Sequence, residues 1–300
     1  MTRRIFLTAI SKSALAGRGG AAGRMNVLFV AADDMNTALG CYGHRLVKSP
    51  NVDRLASTGV RFDRAYCQFP LCGPTRASLL TGLRPDTTRV LDNGVDFRLH
   101  IPGAITLPQC FRQNGYFTAR EGKMFHMGVP GGVGAPTYQD PPSWDHSVSP
   151  PGTENKSAGE GRNLTPDVHA GVAMHWISTA GPDGQADYAA AEHALALLED
   201  HRKGPFFLGL GFVRPHVPFV APSRFFDLYP LRNIQLPKNP ANDLDDIPEA
   251  SKNVRAFLWR HMGMNEQAQR EARRGYYAST SFMDDQLGRV LNGLERLGLA

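Results

Sequence analysis

Asp33 and Asp34 are adjacent carboxylates that follow a short apolar run, Val27-Leu28-Phe29-Val30. Two acids at the end of a strand suit a hard cation, which takes oxygen ligands. They suit a loop start or a helix cap equally well. Cys72 is followed by Pro74 and Arg76. Pro74 fits the first turn of a helix that runs to Thr81, with Gly82 as its C-terminal stop and Pro85 beyond. Cys72 then sits at a helix N-terminus, where free amides favour an anion. Arg76 lies one turn on, on the same side. A lone cysteine is otherwise inert packing.

Lys123 and His126 follow a strand read over Tyr116 to Ala119. Singly, they read as a solvated lysine and a core histidine. His216 follows the apolar run Phe206-Phe207-Leu208-Gly209-Leu210-Gly211-Phe212 and Arg214-Pro215. The pattern is therefore a pair of acids, a cysteine and several cationic or titratable groups. Each is placed beyond a strand or at a helix start.

The elements that must position them alternate. Asn26 to Ala32 is a continuous apolar run too short for a helix, as expected of a central parallel strand. Pro50 starts a helix through Val52, Leu55 and Ala56 that Gly59 closes. Val60, Phe62 and Ala65 suggest a short strand. Gln185 to His201 is Ala- and Leu-rich and helical, and Gly204-Pro205 breaks it. Leu287, Val290, Leu291, Leu294 and Leu297 form one apolar helical face. Strands alternating with helices predict an α/β fold with a largely parallel sheet. Residues 127–166, rich in Gly, Pro and Ser, read as a long loop and a substrate-binding or lid segment.

Three hundred residues with 42% hydrophobic content suffice for a substantial core. The net charge of +5 comes from the first 24 residues, which carry Arg3, Arg4, Lys12, Arg18 and Arg24 and no acid. The remainder holds 28 basic against 28 acidic residues. That balance argues for a basic leader, with residues 25–300 as the folded part, and against a nucleic-acid footprint. Thr2-Arg3-Arg4-Ile5-Phe6-Leu7 and Ala14-Leu15-Ala16 resemble a twin-arginine export signal with its cleavage site, which predicts a periplasmic or secreted protein. A disordered basic terminus is the alternative. No run approaches the roughly 18 apolar residues of a membrane span. Cys41, Cys67, Cys72 and Cys110 fit no zinc spacing, and three of them read as small buried residues.

Cys72-Gly73-Pro74-Thr75-Arg76 with the run Ala77 to Pro85, Gly40-Cys41-Tyr42-Gly43, Ser49-Pro50-Asn51-Val52-Asp53, Gly122-Lys123-Met124-Phe125-His126 and Arg214-Pro215-His216-Val217-Pro218-Phe219 together resemble the type I sulfatases. Within that family they resemble its iduronate-2-sulfatase members. The resemblance implies an alkaline-phosphatase-like fold, a Ca2+ ion and a formylglycine made from Cys72 by a maturation enzyme. Its hydrate would attack sulfur and then expel sulfate, an elimination that a thiol cannot perform. Asp33, Asp34 and the modified Cys72 would ligate the metal. Arg76, Lys123, His126 and His216 would surround the sulfate, and a histidine near its ordinary pKa can protonate a departing alkoxide.

The implied substrate is a sulfated glycan or small sulfate ester, with a 2-O-sulfated uronic acid as the named example. A phosphatase or phosphonate hydrolase of the same superfamily is the alternative within enzymes, although those place Ser or Thr where Cys72 stands. Thr75 replaces the family's usual Ser. The family's remaining metal ligands, an Asp-His or Asp-Asn pair ending an apolar strand, are not matched. Asp145-His146 and Asp200-His201 read as structural. Calcium takes about 6–8 oxygens. The expectation is therefore an N-terminal part of a sulfatase domain, truncated at the C-terminus. By itself it would be weakly active, or a remnant that binds sulfated glycans without cleaving them.

Overall fold

The computed structural model describes residues 23–136, 139–152, 160–165, 175–238, 240, 242, 243, 245–252 and 264–300. The basic leader thus lies outside the described residues, except for Gly23 and Arg24. Part of the expected long loop does too.

Parallel strands β1 (Val27–Asp33), β2 (Phe117–Gly122), β3 (His146–Val148) and β6 (Phe206–Pro215) form the main sheet, in the order β1-β6-β2-β3. All three pairings are parallel. The centre is β6, buried along its whole length, as a strand covered on both faces must be. On one face Leu208, Leu210 and Phe212 pack with α5 (Ala186–His201) and with Met283, Leu287 and Val290 of the long helix Glu266–Leu297. On the other, Phe207 packs with Ala77 and Leu80 of α2 (Cys72–Thr81) and with Phe125 and Trp144. Each such fully buried side chain contributes about 1.5–3 kcal/mol. This is an alkaline-phosphatase-like arrangement, a mostly parallel sheet between helices. A second sheet, β4 (Glu160–Asn163), β5 (His175–Thr179) and β7 (Phe219–Pro222), packs against the long helix through Trp176 and Ala221.

The long helix also anchors the first helix of the chain. In α1 (Pro50–Thr58) the N-cap, Ser49, makes no side-chain cap bond. The carboxylate of Asp284 instead accepts the Asn51 and Val52 amides at 3.1 and 2.8 Å. A buried carboxylate thus satisfies orphan donors and meets the positive end of the helix dipole. Gly288 is required beside it, because a Cβ there would lie 2.4 Å from the Asn51 side chain.

Several expectations are corrected. Residues 60–65 form no strand: Val60 and Phe62 are exposed, and among the described residues no strand pairs with them. Cysteines are not generally buried, since Cys67 and Cys110 are exposed and Cys41 is only half-buried. Cys67 lies in a loop along a cleft, and Cys110 lies on the short helix α4 (Leu107–Gln113). No disulfide joins them. The region 127–166 contains β3 and β4 within it. Strand β2 runs on to Gly122 because its charges find partners on β3 and α5: Arg120 donates to Ser147 Oγ, and Glu121 meets His146 and His193. Asp145 accepts the Thr118 amide and Arg112, while His201 stacks on Phe117, so both acid–histidine pairs serve packing.

Candidate active site

Because β1, β2 and β6 are parallel, their carboxyl ends lie along one edge of the sheet, where α/β proteins bind ligands. Asp33 closes β1, Gly122 hands the chain to Lys123, and Arg214-Pro215 hands it to His216. A register shift between Ala32 and Asp33 sets Asp33 opposite Pro215. Asp34 then adopts a left-handed backbone (φ 59°), a conformation that Asp tolerates better than most residues. Helix α2 brings Cys72 to the same edge at its first residue.

The junction after β2 is tight. Gly122 has φ 75°, and a Cβ on Gly211 would lie 2.1 Å from the Lys123 carbonyl oxygen. Two glycines facing each other let the Lys123 amide donate to Gly211 O at 2.7 Å. The backbone of Lys123 is thereby fixed beside β6.

Asp33, Asp34, Cys72, Arg76, Lys123, His126 and His216 all line one cleft of about 810 Å³. Asp33 is its buried anchor. Its Oδ1 accepts Arg76 Nη2 at 2.9 Å and its Oδ2 accepts Lys123 Nζ at 2.5 Å. Lys123 is fully buried, so it is not the solvated lysine that its sequence context alone implies. Burial pushes the Asp33 carboxyl up. Arg76, Lys123 and His216 more than reverse this, leaving its pKa at about 2. Arg76 also donates to the carbonyls of Lys123 and Met124, tying α2 to the turn after β2.

Cys72 Sγ, an Asp33 oxygen and a His216 nitrogen lie within 4.8 Å of one another. Asp34 stands at the rim, half-exposed, with Oδ2 3.6 Å from His216 Nε2. His216 Nδ1 donates to Val217 O at 2.5 Å, which leaves Nε2 facing the carboxylates. Burial, then Lys123, depress the His126 pKa to about 4, so this ring is neutral at neutral pH. Its buried Nδ1 has no hydrogen-bond partner. Burial and Asp33 push the Cys72 thiol up, away from the thiolate form a cysteine nucleophile needs.

The α2 N-terminus is only partly available to an anion. Asn93 Oδ1 accepts the Gly73 amide at 2.8 Å, and Pro74 has none to give. Asn93 also lines the cleft and an adjoining smaller cavity. Sequence reasoning does not find it, because no spacing connects Asn93 to Cys72.

The donors fit part of a hard cation's sphere. Each carboxylate oxygen has two lone pairs, so Asp33 retains acceptor capacity beyond Arg76 and Lys123. Asp34 has no strong partner among the described residues. An oxygen at position 72 in place of sulfur would complete a hard set, which a thiol does not.

Known proteins share this architecture. Residues 25–300 match the family model named Sulfatase. The chain is 36% identical to human iduronate 2-sulfatase over 296 residues, covering 92% of this chain and 52% of that protein. It is 34% identical to a sulfatase of Formosa agariphila, covering 90% of this chain and 55% of that one. The crystal structure of a phosphonate monoester hydrolase of Agrobacterium radiobacter superposes with a TM-score of 0.69 at 22% identity, over 92% of this chain and 60% of that one. The chain thus spans about half the length of the curated relatives it matches. On the family match and the identity to these relatives, this chain belongs to the sulfatase family.

Proposed function

We propose that the protein hydrolyses sulfate esters of a saccharide, acting from residue 72 after conversion of Cys72 to formylglycine by a maturation enzyme. The observation that carries this reading is the position of Cys72. It begins α2 within 4.8 Å of both an Asp33 oxygen and a His216 nitrogen, in a cleft also lined by Arg76, Lys123 and His126. When present, formylglycine supplies an oxygen nucleophile that the raised-pKa thiol is not, and a Ca2+ held by Asp33, Asp34 and residue 72 supplies positive charge beside it.

The chain's own groups have distinct tasks. Lys123 and Arg76 place two fixed positive charges behind Asp33, in a site dry enough for them to act strongly on developing negative charge. His126, neutral, offers a hydrogen bond without adding charge. His216 holds its ring by Nδ1, so Nε2 is the nitrogen through which it can exchange a proton with a departing alkoxide. The identity to iduronate 2-sulfatase supports a sulfated uronic acid as substrate, and the basic leader supports export. Among the described residues no helix is long and apolar enough to cross a membrane.

The superposition with a phosphonate monoester hydrolase favours a second reading, hydrolysis of phosphonate or phosphate esters. The two readings separate when matched sulfate, phosphate and phosphonate esters of one phenol are offered to protein converted at residue 72. Preference for the sulfate, abolished by Cys72→Ala, is expected. Preference for a phosphorus ester would overturn the sulfatase reading.

A further inference from the structure

Beyond Asp34 the chain passes Met35, which still lines the cleft, to Asn36, which lines a second cavity. Tyr276 holds this segment, its hydroxyl accepting the Asn36 amide at 2.9 Å and donating to Asp34 O at 3.0 Å. Two adjoining hollows of about 340 and 390 Å³ share His44, Arg273 and Tyr277. Among the described residues, no Asp or Glu lines either. Asn36 lines the first hollow, two residues from Asp34 of the cleft. Two residues span at most about 7 Å, so the backbone of Asn36 at the first hollow lies within about that distance of the Asp34 backbone.

Their chemistry is that of an anion site. Arg273 is half-buried, its Nε is buried without a partner, and no described residue forms an ion pair with it. A guanidinium in that state is unusual, because buried donors are normally satisfied. His44 Nδ1 accepts the Leu46 and Val47 amides at 3.3 and 3.1 Å, so its proton sits on Nε2. Its ring packs edge-on to Tyr277, 5.3 Å between centroids. Burial, then Arg273, lower the His44 pKa, which keeps the ring a neutral donor. Arg45 lines the second hollow and adds a further positive charge. Arg273 and His44 therefore present donors, with tyrosine rings beside them and, among the described residues lining the hollows, no competing carboxylate.

We infer that Arg273 and His44 form a subsite for a second anionic group, a carboxylate or sulfate on the sugar next to the one whose sulfate enters the Cys72 cleft. The inference rests on the sulfatase reading for that cleft, and it makes the preferred substrate a polyanionic saccharide of at least two sugars. A forked guanidinium matches either oxyanion.

Equilibrium binding tests it without turnover, on the whole protein at fixed salt. Three disaccharide probes carry a sulfate on one sugar, with a neutral, a carboxylated or a sulfated neighbour. Arg273→Gln is expected to weaken the dianionic probes roughly ten- to hundredfold, the worth of a charge-assisted contact, and to leave the monosulfated probe unchanged. Loss confined to the carboxylated or to the doubly sulfated probe would support the subsite and identify its group. Equal affinity for all probes in both proteins, or equal loss for all three, would overturn it. Should Arg273→Gln fail to fold, Arg273→Lys, which keeps charge but not the fork, must show the same selectivity. Selective binding without any sulfate release would refute the sulfatase reading alone. Sulfate release with unselective binding would refute the subsite alone.

Discussion

Lys123 Nζ lies 2.5 Å from Asp33 Oδ2, and both residues are buried. The pair joins the end of β1 to the turn after β2 and, with Arg76 on the other oxygen, neutralises part of a site crowded with cations. Removing the Asp33 charge leaves Lys123 buried without its partner, the situation that makes a broken buried pair costly. Asp33→Asn is expected to lower stability by about 3–5 kcal/mol, read from urea unfolding without metal. A loss below about 1 kcal/mol, the range of an exposed pair, would show that the network is not holding these strands together.

Calcium should act on the same carboxylates. A ligand at a hundred times its Kd stabilises by about 2.7 kcal/mol. Added Ca2+ is therefore expected to raise the thermal midpoint of protein converted at residue 72, chelation to reverse it, and Asp34→Asn to diminish it. An unchanged midpoint at millimolar Ca2+ would remove the metal from the account.

Gly211 tests the positioning of Lys123. A methyl group there would meet Lys123 O at 2.1 Å and its carbonyl carbon at 2.3 Å, both backbone atoms with no rotamer to escape through. Gly211→Ala should cost at least about 1–3 kcal/mol, the usual cost of overpacking. It should also weaken inorganic sulfate binding, because the atoms displaced are the backbone of Lys123 itself. Wild-type stability and sulfate affinity in this variant would contradict the tight β2–β6 junction.

Glu121 offers a pH test away from the cleft. Fully buried, it meets His146 Nε2 at 2.7 Å and His193 Nδ1 at 3.1 Å. Burial raises its pKa, and the two histidines only partly offset this. A carboxyl raised on folding contributes stability that is complete below its unfolded value, near 4.5, and is lost as pH rises through the folded one. Each unit of rise is worth about 1.4 kcal/mol. Glu121→Gln lacks that loss, so its stability relative to wild type should grow as pH climbs above 4.5. A difference that stays flat across that range would refute the raised pKa.

Much of this arrangement was legible in the chain. The apolar runs at Val27 and Phe206 announce parallel strands, but only β6 is the buried central one: β1, expected at the centre, ends the described sheet and is half-buried. Parallel strands deliver their following residues to one edge. That is why Asp33, Lys123 and His216 meet although they lie far apart in sequence. Pro74 and Gly82 bound α2 as their backbone preferences require. Long-range partners hid the rest. Arg120 and Glu121 look like the exit from a strand until Ser147, His146 and His193 arrive from other elements to pair with them. Asn93 and Arg273 have no motif, since their roles come from what the fold sets beside them. Residues 60–65 have strand-forming side chains but no neighbour, and β propensity without a partner makes no strand.

Sulfate release is the most direct test of the central claim, that position 72 is the nucleophile of a sulfate ester hydrolase. The protein would be produced with a formylglycine-generating enzyme and loaded with Ca2+. Conversion would be read by peptide mass as replacement of the CH2SH group by CHO. Sulfate released from a sulfated saccharide should rise in proportion to the converted fraction and vanish in Cys72→Ala. Release that is indifferent to Cys72→Ala, or none from fully converted, Ca2+-loaded protein, would contradict the claim.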